Sequence, residues 1–364
     1  MKEMSSKRLF DQFRDKKVFI TGNTGFKGSW LSIWLHELGA KVYGYALRPK
    51  TDLDNFVVCD LENKINQTYG DVRDYDLLSS KLHEINPDYI LHLAAQALVI
   101  DSYNDPLGTY STNVMGAANL LQASRNLDNL KSIVIITSDK CYENVEQVWG
   151  YRENDELGGS DPYSSSKACA ELVVQSFRRS FFKDSTVGIM STRAGNVIGG
   201  GDWSDNRLIP DIFKAKRAGE GVEIRNPYAT RPWEHVLEPL SGYLQLCLEG
   251  SNNKKYDGAW NFGPSTYRHY NVLEIIREIE KSTDIEHNLA NQENKHHEAN
   301  LLKLDITKAA NELRWIPQLS FEETIRFTVE GYLVQDDAEI YQKRVQQIEE
   351  YSELARRNET KWAL

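Results

Sequence analysis

The feature that most constrains the fold is a regular alternation of short apolar runs with amphipathic segments over the first half of the chain. The apolar runs have the length of buried strands, and the segments between them repeat their apolar residues at helical spacing. In chain order these stretches are "KKVFITG", "SWLSIWLHELG", "KVYGYAL", "DLLSSKLHEI", "DYILHLAA", "TNVMGAANLLQAS" and "KSIVIITS". Strands that alternate with helices in this way pair in parallel, with helices on both faces of the sheet. The sequence therefore predicts an α/β fold built on a doubly wound parallel sheet.

The alternation continues through one further helix and strand and then loosens. In "SDPYSSSKACAELVVQSF", Ser160 or Asp161 can cap a helix and Pro162 suits its first turn. "TVGIMSTRAG" follows as a strand, and beyond about residue 196 Gly- and Pro-containing loops separate shorter helices. The last stretch, "DDAEIYQKRVQQIEEYSELARRNETKW", is densely charged with few apolar residues, and we expect a surface helix that frays.

A glycine-rich turn, "TGNTGFKG", stands between the first predicted strand and the first predicted helix. Gly22, Gly25 and Gly28 have the GxxGxxG spacing that lets a pyrophosphate approach the free amides of a helix N-terminus. This context favours a Rossmann-type dinucleotide site over a glycine-rich turn that binds no ligand. The acidic residue expected about 20 positions on, which would hold the adenosine ribose, is missing, and Arg48 stands in that stretch. The residues therefore leave NAD and NADP both open.

The predicted cofactor site extends from the glycine turn to the ends of the later strands. Asp71 is a candidate for the adenine edge, and the small residues Ala94 and Ala95 would let the cofactor lie against the predicted strand "DYILHLAA". The full predicted set is Gly22, Asn23, Thr24, Gly25, Phe26, Lys27, Gly28, Arg48, Asp71, Val72, Ala94, Ala95, Gln96, Asn113, Tyr163 and Lys167.

Three domains or segments follow from this organisation. We predict a dinucleotide-binding Rossmann domain over 13–195, with later segments interleaved into it. A smaller C-terminal α/β domain, mainly for substrate, covers 196–335, and the charged helix or tail covers 336–364.

The strongest chemical signal is Tyr163 followed four residues later by Lys167. At helical spacing both side chains project from one face, with the ammonium beside the phenol. Lys167, a nearby helix N-terminus and an oxidised nicotinamide would all favour the phenolate, so we expect a lowered pKa for Tyr163 and a role as a base. Ser138, at the end of "KSIVIITS", is placed to hold a substrate oxygen against that phenol. The alternative is an ordinary helical tyrosine with an exposed lysine.

Composition and charge argue against several other classes. A net charge of -10 repels nucleic acid and anionic membranes. The four cysteines are far apart and form no CxxC pair, which argues against a zinc site or a disulfide framework. No stretch of 18 apolar residues occurs, and "MKEMSSKRLFDQFRDKK" lacks the apolar core of a signal peptide, so we predict a cytoplasmic protein without membrane association. "KHHEAN", residues 295–300, lacks HExxH spacing, and we predict no metal.

Taken with these motifs, the sequence resembles the nucleotide-sugar branch of the extended short-chain dehydrogenase/reductase family. Its segments "TGNTGFKGSWL", "NVMG", "TSDKCYEN", "WGYREND", "GGSDPYSSSKACAELV", "RAGNVIGGGDW", "RLIPD", "IRNP", "RPWEHVLEPLSGYL" and "WNFGP" carry the resemblance over roughly 13–334. The resemblance implies a 4,6-dehydratase that recycles NAD and acts on CDP-glucose or a related nucleotide sugar. It also implies a role in deoxysugar and O-antigen synthesis, and a homodimer, or a dimer of dimers, through helices at about 107–126 and 161–180.

The resemblance also assigns roles to the residues that follow Ser138. Enzymes of this kind oxidise C4 of the hexose, eliminate water across C5 and C6, and return the hydride to C6. Tyr163 would accept the C4 hydroxyl proton, with Ser138 and Lys167 orienting the group. Where dTDP-glucose relatives carry Asp and Glu, this chain carries Asp139 and Lys140, which implies Asp139 as the acid at C6 and Lys140 as the base at C5. The reverse assignment, and an ion pair that only caps the strand, stay open.

The other matched segments imply a site for the nucleotide diphosphate. Arginine can donate two parallel hydrogen bonds to phosphate oxygens, which makes Arg231 the leading candidate. Arg193 is a weaker candidate and fits a buried structural ion pair equally well, and Trp233 fits either a pocket wall or the small domain's core. The predicted substrate set is Asn196, Arg207, Leu208, Arg231 and Trp203.

Two departures from the family pattern bear on specificity. Asn23 stands where close relatives carry histidine, and Ile100 stands where they tend to carry arginine. Cofactor preference and sugar choice are therefore less constrained than the reaction. The alternatives are a 4,6-dehydratase for a dTDP, GDP or UDP sugar, a nucleotide-sugar epimerase or reductase, and a non-catalytic dinucleotide sensor.

Overall fold

The strands of the structure are short and mostly apolar. The structure is a computed structural model that describes residues 8–224, 226–265, 270–289, 301–334 and 336–364. In these ranges the strands are β1 Lys17–Thr21, β2 Lys41–Ala46, β3 Asn66–Tyr69, β4 Tyr89–His92, β5 Ser132–Ile136, β6 Gly188–Ala194, β7 Val197–Ile198, β8 Val222–Ile224, β9 Thr230–Arg231, β10 Glu234–His235, β11 Gly258–Phe262, β12 Tyr270–Asn271 and β13 His287–Leu289.

The helices alternate with the long strands in the first half of the chain and cluster in the second half. They are α1 Phe26–Glu37, α2 Asn55–Val58, α3 Tyr75–Ile85, α4 Val99–Asn104, α5 Pro106–Tyr110, α6 Gly116–Ala123, α7 Pro162–Ser180, α8 Leu208–Ala218, α9 Leu237–Asn252, α10 Val272–Glu280, α11 Phe321–Tyr332 and α12 Ile340–Arg357.

Seven strands form one parallel sheet in the order β11-β6-β5-β4-β1-β2-β3. Alternate residues of β1 face opposite sides, so Val18 and Ile20 enter one apolar core while Phe19 enters the other. The first core contains α1 and α9, and the second contains α3, α6 and α7. The predicted α/β fold with a doubly wound parallel sheet is confirmed.

The second half of the chain contributes both to this sheet and to a smaller cluster. Strand β11 closes one edge of the sheet and α9 packs on its face, in line with the predicted interleaving. Helices α8, α10 and α11 share a separate apolar core made largely of isoleucines. The proposed division at 195 and 335 stays a prediction.

The expectation of a fraying surface helix over 336–364 is wrong. Helix α12 packs on α1, and its apolar side chains recur at spacings of three or four residues, which gives one continuous buried stripe. The buried stripe consists of Val345, Ile348, Tyr351 and Ala355, followed by Trp362 and Ala363 beyond the helix. Apart from the buried Arg344, the charged side chains of this segment are exposed or half-buried, and their number masks the stripe in the sequence.

Two further sequence expectations can be checked. All four cysteines are free, and three of them are buried. Across the described ranges, every helix is too short or too polar to span a membrane.

Candidate active site

The predicted motifs meet at the carboxyl ends of β1, β4 and β5, which are neighbours in the sheet. The glycine turn follows β1, the segment "LAAQ" follows β4, and Ser138 follows β5. In doubly wound sheets ligands bind at this edge.

The glycine turn is held close to the neighbouring strand end. Gly22 has a φ of +72°, and a Cβ there would lie 2.6 Å from the backbone nitrogen of Ala94. A Cβ on Gly28 would lie 2.2 Å from the Gly22 carbonyl oxygen. By contrast, Gly25 is the N-cap residue of α1, and a Cβ on it would meet only that oxygen, at 3.4 Å. The N-terminus of α1 therefore faces open space, as an anion site requires.

Residues beside this turn fit a dinucleotide. Asn23 is buried, its Nδ2 donates to Gln67 Oε1 at 2.6 Å, and its Oδ1 has no partner among the described residues. Thr24 donates to the Leu47 carbonyl at 3.0 Å, which fixes the end of β2. The Arg48 guanidinium stacks on the Tyr69 ring at 4.2 Å.

Asp71 and Val72 lie after β3. The side-chain hydrogen bond from Arg73 lowers the pKa of Asp71 and holds its carboxylate, with Arg73 Nη2 at 2.6 Å. Val72 is buried against Gly116 of α6, where a Cβ would lie 2.7 Å from the valine.

Asn113 links the "LAAQ" segment to α7. It accepts from the Gln96 amide at 2.8 Å and donates to the Gln96 carbonyl at 3.0 Å and to Ser166 at 2.8 Å. The amide of Ala94 donates to Thr21 Oγ1 at 3.2 Å, and the partly buried Ala95 follows it. These bonds fix α7 relative to the end of β4.

Ser138 begins a short helical turn that carries Asp139 and Lys140. Ser138 Oγ donates to Asp139 Oδ1 at 3.0 Å and accepts from the Lys140 amide at 3.2 Å. Asp139 is 3% exposed, and its Oδ2 has no partner within the described ranges. Burial raises the pKa of Asp139, against opposing contributions from Lys140, Ser138 and Lys27. The buried carboxyl is thereby biased toward its protonated form.

Helix α7 brings Tyr163 and Lys167 to the same place. Of the two predicted caps, Ser160 and Asp161, it is Asp161 that caps the helix, by accepting from the Ser164 amide at 2.9 Å. Lys167 Nζ donates to the Ile136 carbonyl at 3.3 Å and lies 6.0 Å from the centre of the Tyr163 ring. Burial, followed by the charge of Lys27, lowers the pKa of Lys167 to about 8.

The lowered pKa expected for Tyr163 beside an oxidised nicotinamide stays a prediction, and in the chain alone the pKa shifts the other way. Burial raises the pKa of Tyr163 to about 12, although Ser138 and Arg207 oppose the shift. Desolvation of the phenolate outweighs the cationic surroundings because the Lys167 ammonium is directed to a carbonyl oxygen.

Arg193 forms the buried ion pair that the sequence left as an alternative. Its Nη2 lies 3.0 Å from Glu171 Oε2, and the two side chains are 3% and 4% exposed. Thr137 donates to the same carboxylate at 2.6 Å. This network anchors the end of β5 immediately before Ser138 and leaves Arg193 inside the fold rather than at a phosphate.

The remaining predicted substrate residues lie in the loops and helices after β6. Arg207 donates to Asp202 at 3.0 Å, and its charge lowers the pKa of both Tyr163 and Lys27, which places it beside the site. Leu208 starts α8. The Asn196 carbonyl accepts from the Glu234 amide at 3.1 Å.

Arg231 and the two tryptophans belong to the smaller half. Arg231 Nη1 donates to the Thr230 carbonyl at 2.8 Å. Trp203 packs edge-on against Tyr332 at 5.1 Å, and Trp233 Nε1 is buried without a partner in the described part of the chain. Both tryptophans therefore contribute to packing.

Phe26 and Lys27 complete the glycine turn, and Lys27 leads to a residue that the sequence analysis missed. Phe26 packs against the first apolar core. Burial lowers the pKa of Lys27 to about 8, and the nearby Glu234 is the leading influence that raises it. Glu234 was not singled out, although an acidic residue inside the apolar stretch "WEHV" is a usable signal.

Metal binding finds no support in the described ranges, which contain no group of three or more His, Cys, Asp or Glu side chains that could hold an ion. Residues 295–300 lie outside the described residues. The predicted absence of a metal therefore stays a prediction.

The parallel sheet, the open glycine turn and the Ser138, Tyr163 and Lys167 set define a nucleotide-sugar enzyme of the short-chain dehydrogenase/reductase type. The chain belongs to the 4,6-dehydratase family, because the family model described as GDP-mannose 4,6 dehydratase matches residues 19–328.

Curated relatives fall in the same family. The CDP-glucose 4,6-dehydratase of Salmonella typhimurium is 49% identical over 323 residues, covering 86% of this chain and 89% of the relative. The dTDP-glucose 4,6-dehydratase of the same species is 25% identical over 339 residues, covering 87% of this chain and 92% of the relative.

Solved structures confirm the fold. The dTDP-glucose 4,6-dehydratase of Bacillus anthracis, solved in complex with NAD, has a TM-score of 0.72 at 21% identity and covers 89% of this chain and 98% of its own. The UDP-glucose 4-epimerase of Thermotoga maritima, solved with UDP-glucose, has a TM-score of 0.73 at 22% identity, with coverage of 86% and 97%.

Proposed function

We propose that this chain converts CDP-glucose into CDP-4-keto-6-deoxyglucose and water, for use in deoxysugar synthesis such as that of O-antigens. The main observation that supports this proposal is the 49% identity to a CDP-glucose 4,6-dehydratase over most of both chains. The Asp139 and Lys140 pair beside Ser138 supports it, because a simple epimerase or reductase has no elimination step for such a pair.

The cofactor in this proposal is NAD. The open N-terminus of α1 would take the pyrophosphate. Asn23, whose Oδ1 has no partner among the described residues, would lie beside the cofactor, with the Arg48 and Tyr69 stack toward its adenosine. NAD held there would supply the hydride chemistry that oxidation at C4 and reduction at C6 require. Solved relatives such as the Bacillus anthracis enzyme carry NAD in the same fold.

Tyr163 accepts the C4 hydroxyl proton in the first stage. Its phenol is 8% exposed and adjacent to Ser138, which can hold the same substrate oxygen. To accept this proton Tyr163 must be the phenolate; burial in the chain alone raises the pKa of Tyr163 to about 12, and the positive charge of an oxidised nicotinamide beside it would lower that pKa. The Lys167 ammonium then stabilises the developing negative charge from one helical turn away.

Asp139 and Lys140 serve the elimination. Once C4 is a ketone, the C5 proton becomes acidic enough to remove. We assign Asp139 as the acid for the C6 hydroxyl, because burial raises the pKa of Asp139 and its Oδ2 has no partner among the described residues. Lys140, partly buried on the same turn, takes the C5 proton, exchanges it with solvent and later protonates C5.

The protons balance within the site. Asp139 loses one proton with the departing water, while Tyr163 gains one from the C4 hydroxyl. One proton must therefore pass from Tyr163 to Asp139 in each turnover. Ser138 lies between them, with its hydroxyl 3.0 Å from Asp139 Oδ1.

For the diphosphate we propose Arg207 and Arg231, with Asn196, Leu208 and Trp203 completing the substrate side. Arg207 is the better supported of the two arginines, because it lies close enough for its charge to lower the pKa of both Tyr163 and Lys27. Its side chain is 38% exposed, so its guanidinium is accessible to a ligand as well as to Asp202.

We further propose a homodimer, or a dimer of dimers, through residues 107–126 and α7. This region carries large apolar side chains that the single chain leaves exposed. They are Leu107 at 81%, Met115 at 53% and Leu172 at 53% exposure. The cytoplasmic location stays a prediction.

The test is incubation of the purified chain with CDP-glucose, dTDP-glucose, GDP-mannose and UDP-glucose, each with NAD, with NADP or with neither. A 4-keto-6-deoxy product from CDP-glucose with NAD is expected. The keto product from another nucleotide sugar alone would reassign the substrate. No keto product from any of them would overturn the proposal.

Substrate deuterated at C4 distinguishes the dehydratase from an epimerase. In a dehydratase the label reappears on the C6 methyl group of the same molecule, and C5 acquires hydrogen from the solvent. Return of the label to C4, with C5 unexchanged, would favour the epimerase.

A further inference from the structure

Arg344 on α12 is a charged side chain in the interior of the fold. It is 2% exposed, and its hydrogen bonds go to two uncharged acceptors. Its Nε donates to Asn55 Oδ1 at 3.0 Å, and its Nη1 donates to the Gly331 carbonyl at 2.9 Å. Burying a guanidinium among neutral groups costs free energy, which an apolar side chain at this position would avoid. The position of this arginine therefore calls for a role beyond packing.

The guanidinium lies directly against the glycine-rich loop 199–202. A Cβ on Gly200 would lie 2.6 Å from Arg344 Nη1 and 2.5 Å from the Gly331 carbonyl oxygen, so the loop backbone is in contact with both. Trp30 Nε1 donates to the Gly200 carbonyl at 2.9 Å, and the Arg344 guanidinium lies over the Trp30 ring at 5.1 Å. The loop is therefore held by residues of α1, α11 and α12 together.

A second contact holds the end of this loop. Tyr332, the residue after Gly331 on α11, donates from its hydroxyl to the Asp202 carbonyl. Burial, followed by the charge of Asp202, raises the pKa of Tyr332. Arg344 and Arg207 both oppose that rise, which places the two guanidiniums near this hydroxyl. Arg344 and Tyr332 thus act on neighbouring residues of one loop.

Asp202 connects this loop to the proposed diphosphate site. It is 3% exposed, and its Oδ2 accepts from Arg207 Nη1 at 3.0 Å while its Oδ1 accepts from the Ser204 amide at 3.1 Å. Because Asp202 is buried and doubly bonded, the position of the Arg207 guanidinium depends on where the loop holds this carboxylate. Arg207 is the better supported of the two arginines that we propose for the diphosphate.

We propose that Arg344 and Tyr332 are positioning residues for substrate binding: they fix the loop 199–202, so that Asp202 holds the Arg207 guanidinium where the substrate diphosphate binds. An arginine that is already oriented loses less conformational entropy when it binds a phosphate. Both residues lie beyond the range 19–328 that the family model matches, so the family match does not assign them this role. The inference rests on the proposed nucleotide-sugar substrate.

Arg344→Met is the first test. The dissociation constant for CDP, measured by calorimetry, and the KM for CDP-glucose at saturating NAD should both rise about tenfold, the order expected for one charged hydrogen bond. The value of kcat should stay within about twofold, because binding is weakened and the reacting groups are untouched. An unchanged dissociation constant, or a loss confined to kcat, would overturn the inference.

Tyr332→Phe is the second test and makes a smaller change. The ring, which stacks on Phe213 at 4.2 Å, is kept, and only the hydroxyl that donates to Asp202 is removed. The dissociation constant for CDP should rise about threefold, as for the loss of one neutral hydrogen bond. This variant tests the loop even if Arg344→Met does not fold. Unchanged CDP binding would overturn the inference.

A double-mutant cycle with Arg207→Met tests the path from the loop to the ligand. Arg207→Met alone should weaken CDP binding. In that background the loop has no guanidinium left to position, so Arg344→Met should have no further effect on CDP binding. Equal weakening by Arg344→Met with and without Arg207 would overturn the inference. Unchanged CDP binding in Arg207→Met would also overturn it, because the arginine would then lie outside the site.

The matched control is Lys343→Met. Lys343 precedes Arg344 on α12 and also connects this helix to α11, through an ion pair with Glu330 at 2.7 Å. The variant loses one positive charge and one contact between the same two helices, yet its CDP binding should stay unchanged. A loss equal to that of Arg344→Met would show that any loosening of α12 weakens binding, and would overturn the specific role of Arg344.

The two proposals fail in different experiments. If the unmodified chain forms no keto product from any nucleotide sugar, the proposed function fails, whereas the loop is tested by CDP binding alone. If the unmodified chain forms the keto product and Arg344→Met binds CDP as tightly as it does, only the inference about the loop fails.

Discussion

At the scale of single residues, Tyr163→Phe separates binding from chemistry. Without the phenol no group accepts the C4 hydroxyl proton, and general acid–base catalysis contributes about 10²–10⁴-fold. We expect kcat, measured by product formation, to fall by about that factor. The dissociation constant for CDP-glucose, measured by calorimetry, should stay unchanged. The control is Tyr110→Phe, which loses a 2.7 Å bond to Ser165 away from the reacting atoms and should keep kcat. Full turnover by Tyr163→Phe would remove this residue from the mechanism.

The sequence identified those residues whose relation is local. Tyr163 and Lys167 are one helical turn apart, and Ser138, Asp139 and Lys140 are consecutive, so their proximity follows from secondary structure. The sequence analysis did not identify Glu234, because this residue comes close to Lys27 only when β10 pairs with β7 beside α1. The raised pKa of Tyr163 also escaped, since burial depends on the whole tertiary environment.

At the scale of elements, Trp362→Ala tests the docking of the C-terminal segment. Trp362 is 2% exposed, stacks on Phe10 at 4.9 Å and on Tyr351 at 5.6 Å, and meets Trp34 edge-on at 5.8 Å. Loss of a buried tryptophan costs about 3–5 kcal/mol. We expect that decrease in the free energy of unfolding, measured by denaturant titration. Leu364→Ala, at a side chain 51% exposed, should change it by less than about 0.5 kcal/mol.

Two elements show where sequence patterns are insufficient. Strand β3 reads "NQTY", an edge strand without the apolar run that marks β1, β4 and β5, and it was not predicted. Helix α12 was misjudged because its mean composition is charged, while stability depends on one buried stripe. In both cases the deciding interaction is with a neighbouring element rather than within the segment.

At the scale of the whole molecule, Glu238 makes stability depend on pH. It joins α9 to the 318–319 segment and to α12, where Tyr351 donates to it at 2.7 Å. Burial raises the pKa of Glu238 from 4.5 to about 7. The folded chain thus retains a proton that the unfolded chain releases, and stability is lost as pH rises through this window, by up to about 3 kcal/mol.

Glu238→Gln removes this titration. The free energy of unfolding of the variant minus that of the unmodified chain should therefore rise between pH 4.5 and about 7. The measurement is denaturant unfolding at a series of pH values. A difference that is flat across this range would contradict the assignment.

The quaternary prediction also belongs to the whole molecule. Leu172 on α7 is 53% exposed, although residues 162–171 of that helix are buried or half-buried, and the exposed Leu107 and Met115 lie in the other predicted interface segment. If these side chains pair across a twofold axis, Leu172→Glu places two charges in an apolar interface and should shift the chain to monomers in sedimentation equilibrium. Leu289→Glu, at a side chain 51% exposed on β13, adds the same charge outside that region and should leave the dimer intact. A Leu172→Glu chain that dimerises as tightly as the unmodified one would place the interface elsewhere.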